Sequence, residues 1–344
     1  MTQVATLPDP LEEVAPPRRR SGGAAWAIWL LRRIGLAVLT LWLVSVLVFV
    51  ATAALGDPVR AILGRDYNSN PGRVAQLEEQ LNADAGLVQR YLDWLGGLFS
   101  GDLGTSLANQ QSVWQQIAPN VVNTLVLVLL AAAVMIPLAF GIAMISAHYR
   151  RKRPDTVIQT ILLALAGVPE FIIGILLVAL FSTTVFHIFP AVTISSQTGD
   201  PWDNPKGMVL PVATLVLAVT PYVSRIVRAT LLEVLDSDYV ELARLKGVPE
   251  RVVMRKHALL NAIVPGIQVI ALQLAWLAGG VVLVETLFAY PGVGRQLVDS
   301  VRNHDVPMVQ ALSMIIAAVY VVVNLVADVL SILLTPRART AISS

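Results

Sequence analysis

The chain has 344 residues, of which 56% are hydrophobic and only 14% charged, and its formal net charge is +2. A soluble globular domain carries about 25% charged residues, so this composition excludes an ordinary soluble protein and predicts apolar surface turned toward lipid. There is no cysteine, which excludes a disulfide framework, a thiolate nucleophile and a cysteine-based metal site.

The first 22 residues, MTQVATLPDPLEEVAPPRRRSG, hold no apolar core of the kind a cleavable signal peptide needs. They are rich in proline and charge, and residues 1–27 are expected to form a disordered cytoplasmic tail. A membrane-crossing helix needs roughly 20 mainly apolar residues. Six stretches qualify: Ile34–Leu55, Val121–Ser146, Val157–Phe181, Met208–Ser224, Ile263–Leu287 and Pro307–Leu334. Pro137, Pro169, Pro211 and Pro221 fall inside the second, third and fourth. Each frees a backbone carbonyl that neighbouring helices or water must satisfy, a burden for which a simple lipid anchor has no use. Residues 28–120 are read as the first helix with a long external loop, 121–339 as the transmembrane core, and 340–344 as a short cytoplasmic tail.

The external loop 56–120 contains a helical apolar stripe, Leu87, Val88, Tyr91, Leu92, Leu95, Leu98 and Phe99. Its acids (Asp57, Asp66, Glu78, Glu79, Asp84, Asp93 and Asp102) outnumber its four arginines. Two readings fit: a small folded cap over the outer face, or an amphipathic helix lying on the membrane surface. Residues 182–207 and 289–306 form two further external loops. Eighteen of the 25 Lys and Arg residues fall on one side of this arrangement and seven on the other. The positive-inside rule then makes both termini cytoplasmic, in agreement with an even number of spans.

Between the fourth and fifth stretches lies a cytoplasmic loop, 229–262. From residue 238 the chain reads DYVELARLKGVPERVVMRKHALLNAIVP. Asp238 stands where an N-cap would, with Glu241 three residues on, the spacing of a capping box. Tyr239–Lys246 reads as a short helix, and Gly247 suits the left-handed position after its end. Pro249 and acidic Glu250 suit the first turn of a second helix. From the residues alone this is either a docking surface for a soluble partner or a well-capped loop.

Polar side chains inside spans are costly and often functional. Glu170 follows Pro169, and is read either as a contact for a substrate amino group or as the partner of a neighbouring helix. Gln268 and Gln273 either line a path or bridge helices. Glu285, near the outer end of the fifth span, is read as a gate or partner contact or as a solvated interfacial group. Asn324 and Asp328 share one helix face at i,i+4 spacing. Tyr222 is read as an interfacial anchor. No phosphate-cradling G-x-x-x-x-G-K-[ST] loop occurs, so any ATP hydrolysis belongs to another chain. The four histidines, His148, His187, His257 and His304, are scattered without metal-ligand spacing.

The segment Glu241-Leu242-Ala243, three residues, then Gly247 resembles the EAA loop of ABC-importer permeases, with Leu242 where the family has its first alanine. ARLKG (Ala243–Gly247) and RKHALLNAIVP (Arg255–Pro265) are similar to the peptide-type branch. So are Glu285–Gly294 (ETLFAYPGVG), Gly56-Asp57-Pro58, Gly101–Leu107 (GDLGTSL), Val168–Phe171 (VPEF), Asn324–Asp328 and Pro336-Arg337. The resemblance runs from about residue 28 to 339, and the chain is identified as similar to the B-type permease subunit of dipeptide/oligopeptide/nickel ABC importers. It implies an all-α membrane protein with six transmembrane helices of the type I ABC importer permease kind, a cytoplasmic coupling helix and a sizeable external loop. It implies ATPase coupling through Glu241, Ala243, Lys246, Gly247, Val248, Arg251 and Val252. Candidates for the translocation path or gate are Glu170, Gln268, Gln273, Glu285, Asn324 and Asp328. No cofactor is expected in this chain, since ATP and Mg are bound by partner ATPase subunits. The implied partners are a second permease, two ATPase subunits, an extracytoplasmic binding protein, membrane lipid and a peptide substrate, without nucleic acid, at the bacterial inner membrane. Nickel chelates, glutathione, opines or haem are the alternative cargoes within the family. A secondary transporter, a channel or a membrane enzyme are the alternatives outside it. A clear internal repeat or a clustered set of catalytic side chains would favour those, and neither is evident.

Overall fold

The computed structural model describes residues 22–54, 59, 63, 70–80, 85–193, 203–254 and 259–334. The tail up to residue 21, Gly56-Asp57-Pro58, residues 194–202, Arg255–Ala258, Pro336-Arg337 and the tail 340–344 lie outside the described residues. The described chain is helical without a named strand. Its elements are α1 (Gly22–Ala54), α2 (Pro71–Gln80), α3 (Leu87–Ser100), α4 (Val113–His148), α5 (Arg153–Ala166) and α6 (Glu170–Val178). There follow α7 (Pro205–Leu235), α8 (Asp238–Leu245), α9 (Glu250–Val252), α10 (Leu259–Leu287), α11 (Val293–Arg302) and α12 (Val306–Leu334). Helix α1 begins at Gly22, inside the segment assigned from sequence to the tail.

The core is built on α4 and α7, the most extensively packed pair. Helix α4 buries Leu127, Ala131, Met135, Ala139, Ala143 and Ala147, and α7 buries Leu215, Val219, Val223, Val227, Leu231 and Leu235. Both rows have a spacing of four. Such i±4n ridges interdigitate, and the four alanines let the backbones approach closely, as membrane helices favour. Helix α10 packs on α7 and α12, and α12 packs on α1 at the periphery. Four helices, α1, α4, α7 and α12, are long and apolar enough to cross a membrane. The 29-residue α10 carries a single charged side chain, Glu285, and at about 1.5 Å per residue has the length to cross as well.

The third stretch departs from expectation. Instead of one helix over Val157–Phe181, the chain bends by 100° between α5 and the helical segment Glu170–Thr183. Gly167 caps α5, and Pro169, with φ −57° and ψ 142°, begins α6 from extended backbone. Val168 sits before a proline, where steric clash disfavours helical geometry. Glycine, then a residue before proline, then proline itself make continuation unfavourable over three consecutive positions. Helix α6 ends in a π-turn, Ala179–Thr183.

The end of the bundle away from the 238–254 segment is tied by hydrogen bonds. Asp305, just before α12, is buried and accepts from the Ser106 hydroxyl at 2.5 Å and the Leu107 N–H at 3.1 Å. This fastens the 101–112 turn to α12. At the end of α10, Glu285 is fully buried. It accepts from the Thr124 hydroxyl of α4 at 2.5 Å, the Gly294 N–H at 2.7 Å and the Arg295 N–H at 3.2 Å. Tyr290 donates to the Asn123 carbonyl at 2.7 Å, and the Asn123 amide donates to the Pro291 carbonyl at 2.8 Å. A Cβ at Gly292 would collide with the Glu285 carboxylate, and one at Gly294 with Val282. Glycine is therefore required where this turn closes over the buried acid. The solvated interfacial placement considered for Glu285 does not hold.

Candidate coupling loop and transmembrane cleft

Helix α8 starts one residue earlier than its sequence signal suggests. Ser237, not Asp238, is the N-cap, with φ −80° and ψ 148°, and it makes no side-chain cap bond. Its hydroxyl turns back to the Val234 carbonyl. The expected capping box between Asp238 and Glu241 is therefore not formed, and Asp238 and Glu241 contribute acidic charge in the first turn, where the helix dipole favours it. The far end follows expectation. Gly247 has φ +78°. The Gly247 N–H donates to the Arg244 carbonyl at 2.9 Å, and the Val248 N–H to the Ala243 carbonyl at 3.1 Å. These two bonds are the Schellman pattern, which needs a left-handed residue at this position. Pro249 is the N-cap of α9 and not its first helical residue, and α9 is one short turn over Glu250–Val252.

Ion pairs hold the loop to the helices beside it. Arg244 grips Glu250 through two hydrogen bonds of 3.1 and 2.7 Å, and donates to the Leu235 carbonyl at 3.2 Å. Arg150, after α4, grips Asp236 at 2.5 and 3.1 Å. The hydrogen bond from Arg244 holds the Glu250 carboxyl below the usual glutamate range, and that from Arg150 does the same for Asp236. Deeper, Asp155 of α5 is buried. It accepts from Arg228 of α7 at 3.0 and 2.6 Å and from the Ser146 hydroxyl at 2.5 Å. Val240 and Val253 are buried beneath the loop. The sequence reading singled out neither Arg228 nor Asp155. Their link spans 73 positions, and the local pattern carries no sign of it.

One face of α8 is exposed in this chain. Tyr239, Leu242 and Leu245 are exposed, Leu245 to 79%, and their i, i+3, i+6 spacing puts them on neighbouring parts of one face. Glu241, Lys246 and Gly247 are exposed beside them, while Ala243, Val248 and Val252 are half-buried. Sequence reasoning named Val248 and Val252 of this loop but did not name Tyr239, Leu242 and Leu245 as contacts. The signal available was two leucines three apart in an eight-residue helix with three charged side chains.

A second feature lies at the bend between α5 and α6. A cleft of about 560 Å³ is lined by Ala166, Gly167, Val168, Pro169, Glu170, Ala218, Tyr222 and Gln273. It gathers Glu170 and Gln273 from three helices' worth of sequence, and adds Tyr222, which lines the cleft where an interfacial anchor was expected. The other path candidates lie elsewhere. Gln268 is one and a half turns before Gln273 on α10 and outside the cleft lining. Glu285 is in the buried knot at the end of α10. Asp328 is paired with Arg33 of α1, and Asn324 donates to the Tyr320 carbonyl at 2.8 Å, both in a groove between α1 and α12. Among the described residues no group of His, Asp and Glu could hold a metal ion.

Two family descriptions cover most of the chain. Residues 139–340 match "Binding-protein-dependent transport system inner membrane component", and residues 27–128 match the N-terminal region of the same kind of component. A glutathione transport system permease protein of Escherichia coli is 36% identical over 303 residues, covering 87% of this chain and 95% of its own length. Putative peptide transport system permease proteins of Brucella abortus and Brucella melitensis are each 34% identical over 311 residues, covering 90% of this chain and 98% of their own. The chain therefore belongs to the binding-protein-dependent transport system inner membrane components, the non-catalytic permease subunits of ABC transport systems, whose ATPase is a separate subunit.

Proposed function

We propose that this permease works in an ATP-driven importer, forming with a second permease the translocation path for dipeptides or oligopeptides delivered by an extracytoplasmic binding protein. The peptide reading draws on the Brucella relatives, and glutathione is the alternative that the Escherichia coli relative favours. In this reading six spans cross the membrane, α5 and the segment from α6 counting as one and α10 as another, with both termini cytoplasmic. The loop from Asp238 to Met254 then faces the ATPase subunit. Glu241, Ala243, Lys246, Gly247, Val248, Arg251 and Val252 form its docking region, with Tyr239, Leu242 and Leu245 as the apolar contact.

One observation carries this: a short helix with an exposed apolar face, whose Arg244 binds Glu250 of α9 and the Leu235 carbonyl at the end of α7, while Arg150–Asp236 ties that end of α7 to the turn after α4. Apolar groups displayed on a charged loop call for a protein partner. The two grips let a push on α8 reach the central helix pair directly. The cleft at the α5–α6 bend, with Glu170, Tyr222 and Gln273, is the part of the path this chain contributes. A bend of that size can act as the moving joint when the two sides of the membrane open in turn.

Gly247→Val tests the coupling assignment. Open space surrounds a Cβ there, so within this chain the cost is the left-handed backbone alone, about 1 kcal/mol or more. The altered loop should assemble poorly with the ATPase or lose substrate-stimulated ATP hydrolysis, while the spans still insert. Wild-type coupling in the reconstituted complex would remove the docking assignment.

A further inference from the structure

We propose that α3 is a membrane-interface helix, immersed beside the C-terminal end of α1 with one face in lipid, so that it fixes the height of the adjoining loops relative to the bilayer. The helix is two-sided. Val88, Leu92, Leu95 and Phe99 follow one another at i, i+4, i+7 and i+11 and form a single face. Of these, Val88 is 73% and Phe99 85% exposed, Leu92 is exposed and Leu95 half-buried. The opposite side carries Gln89, Arg90 and Asp93. Arg90 and Asp93 line a groove against Asp102, Gly104, Thr105 and the start of α12.

What covers the apolar face follows from where α1 holds this helix. The Tyr91 hydroxyl is 2.9 Å from the Ser45 hydroxyl. Phe49 sits edge-on to Tyr91 with ring centroids 5.3 Å apart and stacks on Trp94 at 5.9 Å. Ser45 lies nine residues before the end of α1 at Ala54, about 13 Å down its axis at 1.5 Å per residue. Phe49 lies about 7 Å down by the same measure. The contacts of α3 are therefore with the body of a membrane-crossing helix, below its end, and not with a loop above it. At that level α1 itself turns Leu43, Leu47 and Val50 outward as exposed apolar side chains. The stripe on α3 continues that surface. The tyrosine and tryptophan at the junction are the residue types that settle at headgroup level. The combination of an apolar face, a polar face and aromatic residues between them is that of a helix lying in the interfacial plane. The polar face has one arginine and one aspartate, so the attraction is to the apolar boundary of the bilayer and not to anionic headgroups.

The native chain has no cysteine, which makes the test direct. Single cysteines at Val88, Leu92, Phe99 and, as the polar-face control, Gln89 are labelled with the environment-sensitive fluorophore NBD. The assembled transporter is then placed in phosphatidylcholine nanodiscs. The expected result is blue-shifted emission at 88, 92 and 99, quenched by spin-labelled lipid and little affected by aqueous iodide, with the reverse at 89. Equal iodide quenching at all four sites would overturn the proposal and make α3 part of a water-exposed cap. Shielding at 88, 92 and 99 from both quenchers would also overturn it, because a protein partner would then cover the face. A Tyr91→Phe variant provides a second readout. Loss of the Ser45 contact should reduce lipid quenching at 88 and 92 if that bond sets the depth, whereas unchanged quenching would show that it does not.

Discussion

The two ends of the helix bundle are held in opposite ways. At one end Glu285 is sealed from water and met by one hydroxyl and two backbone N–H groups. At the other end Arg244–Glu250 clamps the Asp238–Met254 loop and Arg150–Asp236 ties the end of α7 to the turn after α4, pairs that remain partly exposed, with an exposed apolar helix face beside them. Exposed pairs contribute little, about 0–1 kcal/mol each. A buried carboxylate stripped of its partners costs several times that. The Glu285 end is therefore built to stay closed, and the loop to respond to what binds it.

Breaking the Glu285 knot should have the largest effect. Gly292→Ala places a methyl group where the Glu285 carboxylate now sits. The acid must leave its donors or the turn must open, and a loss of about 3 kcal/mol or more is expected. The measurement is thermal unfolding of the purified transporter, with a markedly lower midpoint. Gly292→Ala combined with Glu285→Ala should recover part of that loss, because the collision is gone. An unaffected single variant would mean that the knot does not carry that end.

The loop should be softer and sensitive to pH. The Glu250 carboxyl is held below its ordinary range by the Arg244 hydrogen bond. A lowered folded value means that the stabilisation is fully present above the unfolded pKa, near 4.3. It is lost as pH falls through the lower folded value. Hydrogen-exchange protection of α8 and α9 should thus be flat at neutral pH and decline below about pH 4.3. In Glu250→Gln it should be weaker throughout, and the part of the acid response due to Glu250 should vanish, leaving that of Asp236. The Glu285 knot rests on one hydroxyl and two backbone N–H donors and should keep its protection over the same range. Glu241→Ala should be milder still, since no capping box is formed. A small change in loop protection, on the order of 0.5 kcal/mol or less, is expected from its place in the first turn.

The sequence made most of the helices legible, because uninterrupted apolar runs of this length have one physical outcome in a membrane. It also placed the Gly247 turn, since a left-handed helix end has a local signature. It misread places where distant residues decide. The bend at Gly167–Pro169 was written locally, but the apolar run across it masked the break. Glu285 looked like an interfacial acid because two of its three donors are backbone N–H groups, which no residue letter announces. Asp155 and Arg228 lie 73 positions apart, and only the packing of α5 on α7 brings them together. The division of polar residues between the cleft (Glu170, Gln273), the α1–α12 groove (Asn324, Asp328) and the buried knot (Glu285) likewise depends on which helices meet.

The claim that the exposed apolar face of α8 is a docking surface is tested most directly by a single cysteine at Leu245, the most exposed residue of that face. Its reaction with a maleimide is compared between the permease pair alone and the transporter carrying its ATPase subunits, both in nanodiscs. The account predicts rapid labelling without the ATPase, strong protection with it, and a crosslink from this cysteine to the ATPase through a short bifunctional reagent. Equal labelling in both states, with no crosslink, would contradict it.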